Sequence, residues 1–174
     1  MKILYLVRHA KSDWGDESLK DIDRPLSERG YKAAYEMSEW FVKKYAIPNV
    51  LISSDATRAL STAMIFARTM NYPTNELSVL QHVYESTPKT LMDVIHQIDN
   101  KNESAMIFCH NPGVTNLANE LSEMFFDNLP TCALVAFEFD VKSWKDVAPK
   151  KARPDEDPFG RGKLLFYQFP KEFK

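Results

Sequence analysis

Lys2-Ile3-Leu4-Tyr5-Leu6-Val7-Arg8-His9-Ala10 opens the chain, and the reading of this stretch decides the fold. Five apolar residues in a row, Ile3 to Val7, are too few for a secretory signal and predict a strand buried on both faces. A buried strand that stops on Arg8-His9 sets a fixed positive charge and an imidazole together at a sheet edge. Ligands of open α/β sheets bind outside the carboxyl ends of the strands. Taken alone, the pair is more simply read as a surface charge closing the strand and a solvated loop histidine. The outcome depends on whether other phosphate-suited residues recur at later strand ends.

They do. A polar loop from Lys11 to Pro25 leads to a helix that Ser27 can cap, with Leu26 and Tyr31 placed to staple its first turn and apolar spacing kept to Tyr45. Asn49 to Ser53 predicts a second strand, followed by a helix through about Met70 for which Asp55 is a plausible cap. Arg58 falls in the first turn of that helix. Glu76 to Leu80 reads as a weak edge strand, and Thr87-Pro88 as the start of a helix with Leu91, Val94, Ile95 and Ile98 inward. Ala105 to Cys109 is another buried strand, and it stops on His110. Asn111-Pro112-Gly113 then reads as cap, first helical position and small residue of a helix. Ala133 to Phe139 and Lys163 to Phe169 predict two strands paired antiparallel. The charged, proline-bearing stretch 150–158 between them reads as an exposed excursion. The alternation predicts an α/β domain, a three-layer α/β/α sandwich with a mostly parallel central sheet, spanning residues 1–174 as one domain.

Composition narrows the function. A net charge of -2 and a pI near 6.1 give no footprint for nucleic acid or an anionic membrane. No apolar stretch approaches the roughly 18 residues of a membrane span. Cys109 and Cys132 lack CxxC spacing, so reduced thiols and a cytoplasmic location are expected.

Arg8-His9, Arg58 and His110 therefore meet at one rim of a parallel sheet. Two guanidinium forks, two imidazoles and a helix N-terminus suit a phosphoryl dianion. Cysteine phosphatase chemistry needs Cys, five residues and then Arg, but those positions hold Thr115 and Glu138. Gly160 to Lys163 hints at a nucleotide loop, yet Asp157 replaces its first glycine and Leu164 its Ser/Thr. No His or acidic cluster has metal-ligand spacing, so neither metal nor cofactor is expected. A histidine is left as the natural covalent carrier.

Leu6-Val7-Arg8-His9-Ala10-Lys11-Ser12, Asp23-Arg24-Pro25-Leu26 with Gly30, Ser53-Ser54 with Arg58-Ala59 and Thr62-Ala63, and His110-Asn111-Pro112-Gly113 together resemble the histidine phosphatase superfamily, of phosphoglycerate mutase-like fold. Within it, the chain is most similar to the SixA-type phosphohistidine phosphatases. The resemblance implies that His9 accepts the phosphoryl group and that Arg8, Arg58 and His110 bind it, with Ser12 and Asn111 as further ligands. It also implies a general acid between the Arg58 helix and the His110 strand, for which Glu85 is the candidate. Where the larger enzymes carry an Asn in the loop after the nucleophile, this chain has Gly15.

The expected reaction is phosphoryl transfer to His9 followed by hydrolysis, with Arg8, Arg58 and a protonated His110 neutralising the equatorial oxygens. Secondary elements fill most of the interval from Arg58 to His110, leaving no room for a large cap. An open pocket favours phosphohistidine on a protein as substrate. A broad small-molecule phosphomonoesterase and a non-catalytic phosphate-binding module are the alternatives.

Overall fold

A computed structural model describes residues 1–149 and 162–170, so the 150–158 excursion lies outside the described residues. Six strands form one sheet in the order β3-β2-β4-β1-β5-β6. They are β1 (Lys2–Arg8), β2 (Val50–Ser53), β3 (Ser78–Val79), β4 (Ser104–Cys109), β5 (Leu134–Phe139) and β6 (Lys163–Gln168). The pairs β1–β4, β2–β4 and β2–β3 are parallel, whereas β5 runs against both β1 and β6. The helices are α1 (Glu28–Val42), α2 (Thr57–Thr69), α3 (Pro88–His96) and α4 (Gly113–Leu121).

The period of two along β1 builds the layers. Leu4 and Leu6 join a core with Leu91 and Ile95 of α3 and Leu117 and Leu121 of α4. Tyr5 and Val7 face the opposite way, into a core with Met37 and Phe41 of α1 and Ala63 and Phe66 of α2. The central strand is thus buried on both faces, as its unbroken apolar run requires. The result is the expected three-layer α/β/α sandwich.

Local signals hold where a side chain bonds its own backbone. Ser27 Oγ accepts from Gly30 N at the start of α1, and Thr87 Oγ1 from Thr90 N at the start of α3. Asp55 does not cap α2. The Ser54 hydroxyl accepts from Ala56 N, while Asp55 Oδ1 is buried without a protein partner among the described residues. Nor does Asn111 cap α4 with Pro112 as its first residue: the helix starts at Gly113 after Pro112, and the Asn111 carboxamide is engaged by Thr115, Asn128 and Leu129 instead. Tyr31 is 44% exposed, which leaves it outside the core that Leu26 joins.

Register brings the site together. Arg8 pairs with Cys109 across β1 and β4, and Ser53 with Phe108 across β2 and β4. The residues after these strands, His9, Ser54 and His110, therefore emerge side by side. The interval between Arg58 and His110 is occupied by α2, β3, α3, β4 and short turns, with no inserted cap.

Candidate active site

His9 and His110 lie with ring centroids 5.0 Å apart, each less than 10% exposed. His9 Nδ1 is 2.7 Å from the Ala10 carbonyl oxygen, which can only accept, so Nδ1 carries the proton. This leaves Nε2 unprotonated, and the Arg58 Nε–H donates to its lone pair at 3.3 Å. The tautomer a nucleophilic imidazole needs is thus fixed by backbone.

Arg8 Nη1 donates to the Leu129 carbonyl at 2.6 Å, while its Nε is buried without a partner among the described residues. Both ring nitrogens of His110 are likewise buried and unpartnered among the described residues. Buried polar groups are ordinarily hydrogen-bonded, and several orphaned together mark a place built for a polar ligand. The edge of the Tyr84 ring meets His110 at 5.5 Å between centroids, closing one wall.

Burial sets the protonation states. Desolvation, reinforced by His110, Arg58 and Arg8, pushes His9 down to about 3 despite the opposing Ala10 hydrogen bond. Desolvation and the Arg58 charge push His110 down to about 4. In the free site both imidazoles are neutral at pH 7, which corrects the expectation of a protonated His110. A neutral ring still donates one N–H, and the fixed positive charge comes from the two arginines.

The remaining expected residues go elsewhere. The Ser12 hydroxyl accepts from Arg24 Nη2 at 2.6 Å, so it braces the loop after β1 rather than facing His9. Asn111 holds the α4–β5 loop through Asn128 and Leu129. Glu85 is exposed at a positive φ of 50°, its charge helping to raise the neighbouring Tyr84 phenol.

Asp21 was not singled out by its sequence context, yet it joins the site. Its Oδ2 accepts from Arg58 Nη2 at 2.8 Å and from the Tyr84 hydroxyl at 2.7 Å. Its Oδ1 accepts from Arg24 Nη1 at 2.9 Å. The Tyr84 hydrogen bond, aided by Arg58 and Arg24, holds the carboxyl down at about 2, and the same bond pushes Tyr84 up to about 12. The Asp-x-x-Arg spacing across one 3-10 turn (Asp21–Asp23) was the available signal, since it sets Asp21 and Arg24 on one side.

Two glycines permit this assembly. A Cβ on Gly30 would lie 2.0 Å from the Lys11 carbonyl oxygen, where α1 presses on the loop after β1. One on Gly113 would lie 2.1 Å from the Ser86 carbonyl oxygen, where α4 presses on the segment carrying Tyr84.

A pair of histidines and a pair of arginines at the carboxyl rim of this sheet define a class. Residues 4–85 match the model of the histidine phosphatase superfamily (branch 1). The fold is SixA-like: the protein histidine phosphatase SixA, solved with tungstate, superposes with a TM-score of 0.79 over 99% of each chain at 18% identity. The phosphoserine phosphatase of Entamoeba histolytica, solved with phosphoserine, superposes with a TM-score of 0.64 over 96% of each chain at 16% identity. An uncharacterized chloroplastic protein of Arabidopsis thaliana is 29% identical over 152 residues, covering 83% of this chain and 69% of that one.

Proposed function

We propose that this protein is a phosphatase that removes phosphate from phosphohistidine on a protein through a covalent phospho-His9 intermediate. One observation carries the reading: the unprotonated Nε2 of His9 faces Arg58 Nε at 3.3 Å, beside the orphaned donors of Arg8 and His110. A phosphoryl group entering there meets a nucleophile and its charge partners already in place.

In the first step His9 Nε2 attacks phosphorus and the bond to the substrate nitrogen breaks. The electron pair leaves with that nitrogen, which takes a proton from solvent. In the second step water attacks the phosphorus, the Nε2–P bond breaks and the imidazole is restored. Arg8, Arg58 and the His110 N–H carry the charge on the equatorial oxygens, a role two guanidinium groups fill without a metal.

The leaving group argues for phosphohistidine. An imidazole nitrogen departs without help, whereas an alkoxide requires a positioned acid. Glu85 is exposed on the loop, and Asp21 is held ionised by Tyr84 and two arginines, so Asp21 does not suit a general acid at neutral pH. The lack of an inserted cap between Arg58 and His110 supports access by a protein-borne group, and the free, buried Cys109 and Cys132 fit a reducing cytoplasm. A SixA-like fold points the same way.

Turnover of phosphohistidine, aryl phosphate and phosphoserine peptides should fall in that order, and Glu85→Gln should leave phosphohistidine turnover unchanged. Equal turnover of phosphoserine, slowed by Glu85→Gln, would establish a broad phosphomonoesterase instead. Phosphate binding without turnover of any of them would establish a binding module.

A further inference from the structure

Asp21 is half exposed, yet its carboxylate is held from three directions, by Arg58, Tyr84 and Arg24. Its backbone carbonyl also accepts from Arg58 Nη1. Two of the three guanidinium nitrogens of Arg58 therefore end on Asp21, and the third ends on His9. A guanidinium is planar, so anchoring Nη1 and Nη2 fixes the direction of Nε.

The anchor is itself anchored. Arg24 is 6% exposed, donates from Nε to the Asp13 carbonyl and from Nη2 to Ser12, and lies 3.1 Å over the Trp14 ring. The loop after β1 thus holds one carboxylate in a set place against Arg58.

We propose that Asp21 is the positioning residue of the phosphate site, setting the plane of Arg58 so that Nε addresses His9, while its negative charge weakens ground-state binding of phosphate. The inference rests on His9 being the phosphoryl acceptor. Two effects of opposite sign follow. Removing the carboxylate charge weakens the Nη2 anchor and leaves the Asp21 carbonyl as the main hold on Arg58, so the fork can turn, which slows the chemical step. It also removes a repulsive charge one guanidinium away from the bound oxyanion, which tightens ground-state binding of the oxyanion. A merely structural role would weaken both together.

The test compares full-length wild type, Asp21→Asn, Asp21→Glu and Asp23→Asn. Inorganic phosphate binding is measured by calorimetry, and kcat and KM with a phosphohistidine peptide. Asp21→Asn should bind phosphate about fivefold more tightly, by charge removal, and lose about tenfold or more in kcat, by misplacement of Arg58. Asp21→Glu keeps the charge on a longer arm, so it should restore the weaker phosphate binding without restoring kcat. Asp23→Asn removes an equal charge from the same turn and should change neither.

Weaker phosphate binding together with lower kcat in Asp21→Asn would overturn the proposal, as would no change in either. Equal effects from Asp23→Asn would overturn it as well, leaving only loop charge. If wild type turns over no phosphorylated substrate, the functional reading fails, and the phosphate titrations still judge the charge effect alone.

Discussion

Arg58 Nε donates to His9 Nε2 at 3.3 Å, so the cation that would meet the phosphoryl group already lies on the lone pair that would attack it. An incoming phosphoryl group enters between the two and takes over the donor. This arrangement depends on a fork with separate nitrogens, which lysine lacks.

Arg58→Lys should therefore keep the charge and lose the function. A single ammonium cannot reach Asp21 and the phosphoryl group together, so kcat should fall roughly a hundredfold, equivalent to about 3 kcal/mol of transition-state stabilisation. Steady-state kinetics on the variant checks this. Near-wild-type kcat would show that charge alone suffices at this position.

The buried histidines predict how stability depends on pH. His9 and His110 hold folded values near 3 and 4 against an unfolded value of 6.5, so the unfolded chain binds more protons throughout the interval between. Their contribution is complete above pH 6.5 and is lost as pH falls toward 4 for His110 and toward 3 for His9. Going from pH 7.5 to 5 should cost about 2 kcal/mol per histidine. Urea unfolding at both pH values checks it, and His110→Gln should flatten the dependence by about half. An identical slope in that variant would remove His110 as a source.

Gly113 predicts a stability defect. Its missing Cβ makes room for the Ser86 carbonyl, and backbone cannot step aside as a flexible side chain can. Gly113→Ala should lose about 3 kcal/mol or more, as overpacking against rigid neighbours does. Gly15→Ala is the control, since its Cβ would meet only the Asp13 side chain at 3.3 Å. Equal stability of the two variants in denaturant unfolding would contradict the account.

What the sequence made legible was local or periodic. The apolar run in β1 and the caps at Ser27 and Thr87 are written in neighbouring residues, and strand ends place Arg8, His9 and His110 through sheet register alone. The edge strand was overextended, because a 3-10 turn (Thr74–Glu76) takes its first residue and leaves only Ser78–Val79 paired. His96, off the apolar stripe of α3, nonetheless meets the Val147 carbonyl at 2.8 Å, a contact made by a segment far along the chain. The contacts of Asp21 with Tyr84 and Arg58 were hidden for the same reason. The Asp21–Tyr84 hydrogen bond joins two loops 63 positions apart, and only the folded sheet brings those loops to one rim.

The central claim is that His9 carries the phosphoryl group. The most direct measurement is rapid quench of the protein with labelled phosphohistidine peptide, followed by mapping of the labelled residue. The account predicts label on His9, lost in acid and kept in alkali as an N–P bond requires, and none in a folded His9→Ala variant. Undiminished turnover by His9→Ala, or label on another residue, would contradict it.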